Sequence, residues 1–195
     1  MARIAKIERN TKETRIMLDL NLDGSGKSEI STGIGFFDHM LESFAKHGQF
    51  DLTIKAVGDL HVDDHHTVED TGLCLGQAIS QAVGNKKGIS RFGWALCPMD
   101  ESLARAALDL SGRPFCVCEI PINPHKLGDM HGTTMPEFFR AVSTEAGITL
   151  HLDVIRGQNL HHAIEALVKA FARALHQAVS PFGNPDDLPS TKGAL

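Results

Sequence analysis

Apolar and polar residues alternate loosely over residues 2–9 and more regularly over 13–21, the period of a half-buried strand. The run Asp23-Gly24-Ser25-Gly26-Lys27 signals a turn before a short strand near 28–32. From Phe36 to Lys46 the period changes. Phe37, Met40, Leu41 and Phe44 fall on one helical face, and Gly48 is the stop signal. Residues 50–57 alternate again. A polar loop from Gly58 to Asp64 then offers Asp63 and Asp64 as caps for a helix that starts at His65 and runs through Val68, Leu73, Leu75, Ala78 and Ile79 to Gly84.

The same order is replayed. Strands are predicted near 92–98, 103–110 and 114–120, with turns at Asp100-Glu101 and Ser111-Gly112. A long loop through Pro121, Pro124, Gly128 and Gly132 reads as exposed. A helix over Pro136–Ala146 ends at Gly147, a strand covers 148–154, and Asn159 caps a helix over 161–179. Each half therefore reads βββαβα, an internal duplication with halves at 1–88 and 89–180 and a Pro- and Gly-rich tail at 181–195. One half alone would be a marginal domain; two halves together bury a sizeable core. The predicted class is α+β, with sheets that carry helices on one face.

One motif repeats with the fold. His65-His66-Thr67-Val68-Glu69 returns as His161-His162-Ala163-Ile164-Glu165. On a helix the first histidine and the glutamate are i and i+4 and share a face. The second histidine points about 100° away. Adjacent histidines so placed aim poorly at one ion, so the pattern asks for two metal centres or shared ligands. A duplicated site should have further matched ligands. His39 and Glu137 occupy equivalent places early in the preceding helix of each half, which gives His39, His65, His66, Glu69 and Glu137, His161, His162, Glu165 as two sets. Imidazole plus carboxylate without thiolate suits Mn²⁺, Fe²⁺ or Zn²⁺, and octahedral geometry favours Mn²⁺.

Composition narrows the field. Eleven histidines stand out in a 195-residue chain, concentrated in the windows 39–66 and 151–162. The net charge of −5 argues against a general nucleic-acid binder, though a few local cations can still hold a small anion. The four cysteines show no CxxC spacing and read as buried reduced thiols of a cytosolic protein. No 18-residue apolar run and no signal-peptide pattern suggests a membrane or export.

The runs Gly35-Phe36-Phe37-Asp38-His39-Met40-Leu41, Asp64-His65-His66-Thr67-Val68-Glu69-Asp70, His161-His162-Ala163-Ile164-Glu165-Ala166, Asp109-Leu110-Ser111-Gly112-Arg113-Pro114 and Ser190-Thr191-Lys192-Gly193 closely resemble the imidazoleglycerol-phosphate dehydratases. The likeness spans essentially the whole chain. It implies a duplicated fold of the ribosomal-protein-S5 domain-2 type, two Mn²⁺ per site between subunits, a 24-subunit homo-oligomer, and a cytoplasmic, monofunctional enzyme of histidine biosynthesis. The reaction implied is dehydration of imidazole glycerol phosphate to imidazole acetol phosphate. Cations on the ring nitrogens would stabilise an imidazolate that expels hydroxide through a diazafulvene. The resemblance makes Glu13 the acid–base group, with His66 and Glu165 also in the catalytic set. Arg91, Arg113, Lys169, Ser190 and Lys192 become phosphate contacts, and the tail a lid completing the site. Some family members have histidine where this chain has Glu137, which puts that ligand in question.

Other classes stay in view. A dinuclear phosphatase would use the same ligands to activate water, and a shell protein would use them as cement between subunits. Nucleic-acid binding would rest on fold analogy alone.

Overall fold

The computed structural model describes residues 3–194, and those residues form two four-stranded sheets with the same internal order. In the first, β1 (Ile4–Asn10), β2 (Thr14–Asn21), β3 (Ser28–Ser31) and β4 (Asp51–Gly58) lie in the order β1-β2-β4-β3. In the second, β5 (Phe92–Met99), β6 (Ser102–Asp109), β7 (Phe115–Glu119) and β10 (Thr149–Arg156) lie in the order β5-β6-β10-β7. Each sheet has one parallel pair, β3 with β4 and β7 with β10, and the helix between its strands makes the crossover: α1 (Gly35–Gly48) in the first half and α3 (Thr134–Ala146) in the second. Each half closes with a long helix, α2 (His65–Val83) and α4 (Leu160–Val179).

The strands alternate because one face is dry. Ile16, Leu18 and Leu20 of β2 are buried, while Arg15, Met17 and Asp19 are not. The buried faces of both sheets point at the helices. α2 packs on β1 and β2, α4 on β5 and β6, α2 against α3, and α1 against α4. The four helices therefore lie between the sheets, and each sheet keeps one open face. Phe37, Phe139 and Phe171 fill the middle at 0% exposure. Small residues let the helices approach: a Cβ on Gly72 would sit 2.7 Å from the Phe138 carbonyl oxygen, and one on Gly76 2.7 Å from that of Val142.

Three local expectations change. α1 runs through Gly48, and Gln49 takes the left-handed conformation (φ 57°) that closes it. At the start of α2 the capping oxygen belongs to Asp63, which accepts from the His65 N–H at 2.9 Å. Asp64 is instead buried and accepts from the backbone N–H of His131 (2.7 Å) and the hydroxyl of Thr134 (3.1 Å). The loop expected over 121–132 is thus partly structured, as a short hairpin of β8 (Lys126–Leu127) and β9 (Met130–His131) with Met130 buried beneath it. Contacts far apart in sequence order that hairpin, which is why periodicity does not show it.

No helix among the described residues is long and apolar enough to cross a membrane. All four cysteines are unpaired, and burial pushes the thiols of Cys116 and Cys118 up to about 11 and about 12. Gly93 of β5 lies directly on α4, where an added Cβ would collide with the Ala174 carbonyl oxygen. Gly93→Ala should cost about 1–3 kcal/mol through overpacking, a Tm loss of roughly 2–12 °C; an unchanged melting curve would contradict that packing.

Candidate metal centre

The site is built from helix N-terminal turns. Asp38, in the first turn of α1, accepts from the backbone N–H of Thr32 at 2.9 Å and from the Thr32 hydroxyl, tying the preceding loop to the helix. Phe36 meets the ring of His161 edge-on, centroids 5.1 Å apart, while Phe37 points into the core. That division of labour turns His39 outward, toward the start of α4. There Asn159 caps the helix, accepting from the backbone N–H of His161 at 2.9 Å and of His162 at 3.4 Å.

His39, His161 and Glu165 come together. Their ligand atoms all lie within 4.8 Å of one another, the one group of three such residues among those described. Nε2 of His39 is 3.3 Å, and Nε2 of His161 3.1 Å, from the same oxygen of Glu165. The other oxygen of Glu165 is 2.8 Å from Lys169 Nζ. Burial pushes the Glu165 carboxyl up, but the bond from Lys169 and the neighbouring His39 outweigh it and hold the group below its ordinary value. The carboxylate is therefore ionised and ready to ligate.

α2 carries a second, incomplete set. Nε2 of His65 is 3.6 Å from Glu69, the i,i+4 pair that the sequence places on one face. The rings of His65 and His66 are 6.1 Å apart at 89°, and those of His161 and His162 6.1 Å apart at 85°. Adjacent histidines thus aim in perpendicular directions, as their helical spacing demands. The grouping by halves does not hold within the subunit. His39 joins His161 and Glu165 of the other half because α1 packs on α4. Glu137 pairs with Arg140 one turn on and joins no three-ligand group among the described residues.

The second histidine of each pair is held from behind, by residues that sequence reasoning missed. His66 Nδ1 donates to Asp59 at 3.0 Å, and His162 Nδ1 donates to Glu101 at 2.8 Å. Each bond fixes the ring and leaves Nε2 without a hydrogen bond, that of His162 lying 3.7 Å from the exposed Asp100, the arrangement of a metal ligand steadied by an outer carboxylate. Asp59 and Glu101 raise the pKa of their histidines. Glu101 itself is held far below the usual carboxylate range by the bond from His162 and by the backbone N–H groups of Asn159 and Gln158. A signal existed. Glu13 and Glu101 fill the same position in the two hairpins, each directly preceding the second strand, β2 or β6.

Glu13 itself is exposed, and its carboxylate has no hydrogen-bond partner among the described residues, yet its charge acts on His66. Arg91 sits in left-handed backbone (φ 66°) and is held by both oxygens of Asp109 (2.7 and 3.0 Å). It also donates to the Pro189 carbonyl at 2.8 Å, which pins the tail beside Ser190. Two of its five N–H donors are left for another partner. Arg113 lies 3.6 Å from Asp109 and is mostly exposed. The tail is tied down by Phe182 and Asp187 bonding to the backbone of Gly88, and the Lys192 N–H donates to Ser190 Oγ at 3.2 Å. Lys169 stands apart, with Glu165. Of the remaining histidines, His151 is exposed on β10, and His176, also exposed, donates to the Gly48 carbonyl at 2.8 Å.

The donor set of imidazole and carboxylate, ionised and steadied from behind, fits a divalent cation of the Mn²⁺ class. Removing an outer carboxylate should loosen such a site. Glu101→Ala is expected to weaken Mn²⁺ binding about 10–100-fold, read by equilibrium dialysis at fixed pH; unchanged affinity would show that Glu101 does not orient His162.

Residues 32–175 match the family model of imidazoleglycerol-phosphate dehydratase. Proteins of that name from Acetivibrio thermocellus and Desulforamulus reducens are 56% and 54% identical, over 100% of both chains in the first case and over 99% of this chain and 98% of the relative in the second. The crystal structure of the Staphylococcus aureus imidazoleglycerol-phosphate dehydratase superposes with a TM-score of 0.83 at 40% identity, covering 92% of this chain and 99% of that one. The Pyrococcus furiosus structure gives a TM-score of 0.84 at 33% identity, covering 97% and 100%. A family model over most of the chain, together with full-length relatives above half identity, shows that this chain belongs to the imidazoleglycerol-phosphate dehydratase family, a family of hydro-lyases.

Proposed function

We propose that this protein dehydrates imidazole glycerol phosphate to imidazole acetol phosphate in histidine biosynthesis, with two Mn²⁺ ions per active site. The observation that carries the reading is the cluster of His39, His161 and Glu165 beside a second histidine, His162, whose ring is fixed through Nδ1 by Glu101. His39, His161, His162, Glu165 and Glu137 on one side, and His65, His66 and Glu69 on the other, are the residues offered to the ions. Divalent cations bound there would supply Lewis acidity to the ring nitrogens, favouring the imidazolate and diazafulvene route.

The chain's own groups supply the rest. Glu13, uncommitted at the tip of its turn, removes the proton from the carbon beside the departing hydroxyl. Arg91 and Arg113, drawn together by Asp109, hold the phosphate with Ser190 and Lys192 of the tail. Lys169 keeps Glu165 ionised and lies along the same helix face as the metal ligands. The tail, pinned through Pro189, then serves as the lid.

Neither metal set is complete in one subunit, so the site calls for a neighbour. The open face of the second sheet supports that. Phe92, Trp94, Leu96 and Phe115 stand on it at 50%, 66%, 61% and 61% exposure, an apolar patch of the kind that marks contact with another chain. We take the partner to be further copies of this chain, up to the 24-subunit shell, in a cytoplasmic enzyme.

Metal-stripped protein should make no ketone from imidazole glycerol phosphate and should recover turnover on addition of Mn²⁺; inorganic phosphate release instead would favour a phosphatase. Glu13→Gln should keep metal and assembly and lose about 10²–10⁴-fold in turnover. Trp94→Asp with Leu96→Glu should break the shell in light scattering and abolish turnover together; intact particles of wild-type size would remove this face from the interface.

A further inference from the structure

We propose that Thr11, Thr14, Asp70 and Arg9 form a brace that positions Glu13, so that its carboxylate is placed by its backbone and left chemically free. The inference rests on the acid–base reading of Glu13.

The brace is a continuous chain of hydrogen bonds from the core to the turn. The oxygen of the Thr11 hydroxyl accepts from the backbone N–H of Glu13 at 3.1 Å and of Thr14 at 2.9 Å. The hydroxyls of Thr11 and Thr14 are 3.2 Å apart. Thr14, only 3% exposed, donates to Asp70 of α2. Arg9 at the end of β1 closes on the other oxygen of Asp70 at 2.9 Å. Asp70 directly follows Glu69 in the duplicated motif. The same helical turn therefore presents two candidate ligands, His66 and Glu69, and anchors the loop that carries Glu13.

Pseudo-symmetry supplies the control. The strand registers equate Arg9 with Cys97, Thr11 with Met99, Glu13 with Glu101 and Thr14 with Ser102, and the repeated motif equates Asp70 with Ala166. In the second half the polar trio is thus gone, and Cys97 and Ala166 are ordinary core. Glu101 is fixed there by its own carboxylate, on His162 and on the backbone of Gln158 and Asn159. One turn spends its acid on being held. The other holds the backbone and spares the acid. Stability alone is a weak reason for the half-buried pair, since an apolar replacement is often as stable, and Arg9 Nε is buried with no partner among the described residues. Placement of a working group is the better reason, because small misplacements of such a group are costly in rate.

The test is made on the full-length, Mn²⁺-loaded protein. Thr14→Val should lower kcat about 10–100-fold, with KM, Mn²⁺ content and particle size unchanged and faster amide exchange over residues 11–14. Thr14→Ser, which keeps the hydroxyl, should restore kcat. The double change Arg9→Leu with Asp70→Ala copies the apolar solution of the second half and should show the same kcat loss should Thr14→Val fail to assemble. Wild-type kcat in an assembled Thr14→Val or double variant overturns the brace. So does a loss that tracks loss of Mn²⁺, since the effect would then run through Glu69. Glu13→Gln, measured alongside, separates the two ideas: full turnover there sinks the acid–base reading itself, whereas lost turnover there with wild-type kcat in the other variants sinks only the brace.

Discussion

The packing of α1 on α4 is the contact on which the chemistry of this subunit depends. Both helices are amphipathic and short of room, so they meet through buried alanines and a phenylalanine cluster that includes Phe44 and Phe171, centroids 5.5 Å apart. That contact carries His39 across from one half of the duplication to the other and sets it beside His161 and Glu165. Without it, each half would hold an i,i+4 histidine–glutamate pair and nothing more. Close packing makes the arrangement discrete, because a helix seated on a crowded interface has few alternative positions.

Around that contact the charges are arranged in layers. The histidines that face the opening are steadied by carboxylates behind them, Asp59 and Glu101, and Glu165 is balanced by Lys169. Each bond fixes a ring orientation or an ionisation state within the protein itself. The same plan recurs around Arg91, with Asp109 holding its guanidinium and Arg91 in turn holding the tail at Pro189.

Duplication explains both the economy and the asymmetry. Two copies of one βββαβα unit supply two sheets, two histidine pairs and two glutamate-bearing turns. The copies then diverge where function asks for one of something. Glu101 is bound up in structure, while Glu13 stays uncommitted above a buried polar network that the second copy lacks. The exposed apolar face is a further asymmetry, since Phe92, Trp94, Leu96 and Phe115 stand out on the second sheet.

Much of this was legible in the residues themselves. Periodicity of two and of 3.6 marks nearly every strand and helix, the histidine–histidine–glutamate repeat marks the duplication, and i,i+4 spacing dictates that adjacent histidines diverge, because these follow from local backbone geometry. What periodicity could not supply is which helix packs on which. That packing sets His39 beside His161 and Glu165 of the other half, makes Asp64 the anchor of the 126–131 hairpin, and puts Asp59 and Glu101 behind His66 and His162. Those relations join residues tens of positions apart, and only the folded layers bring them within hydrogen-bonding distance.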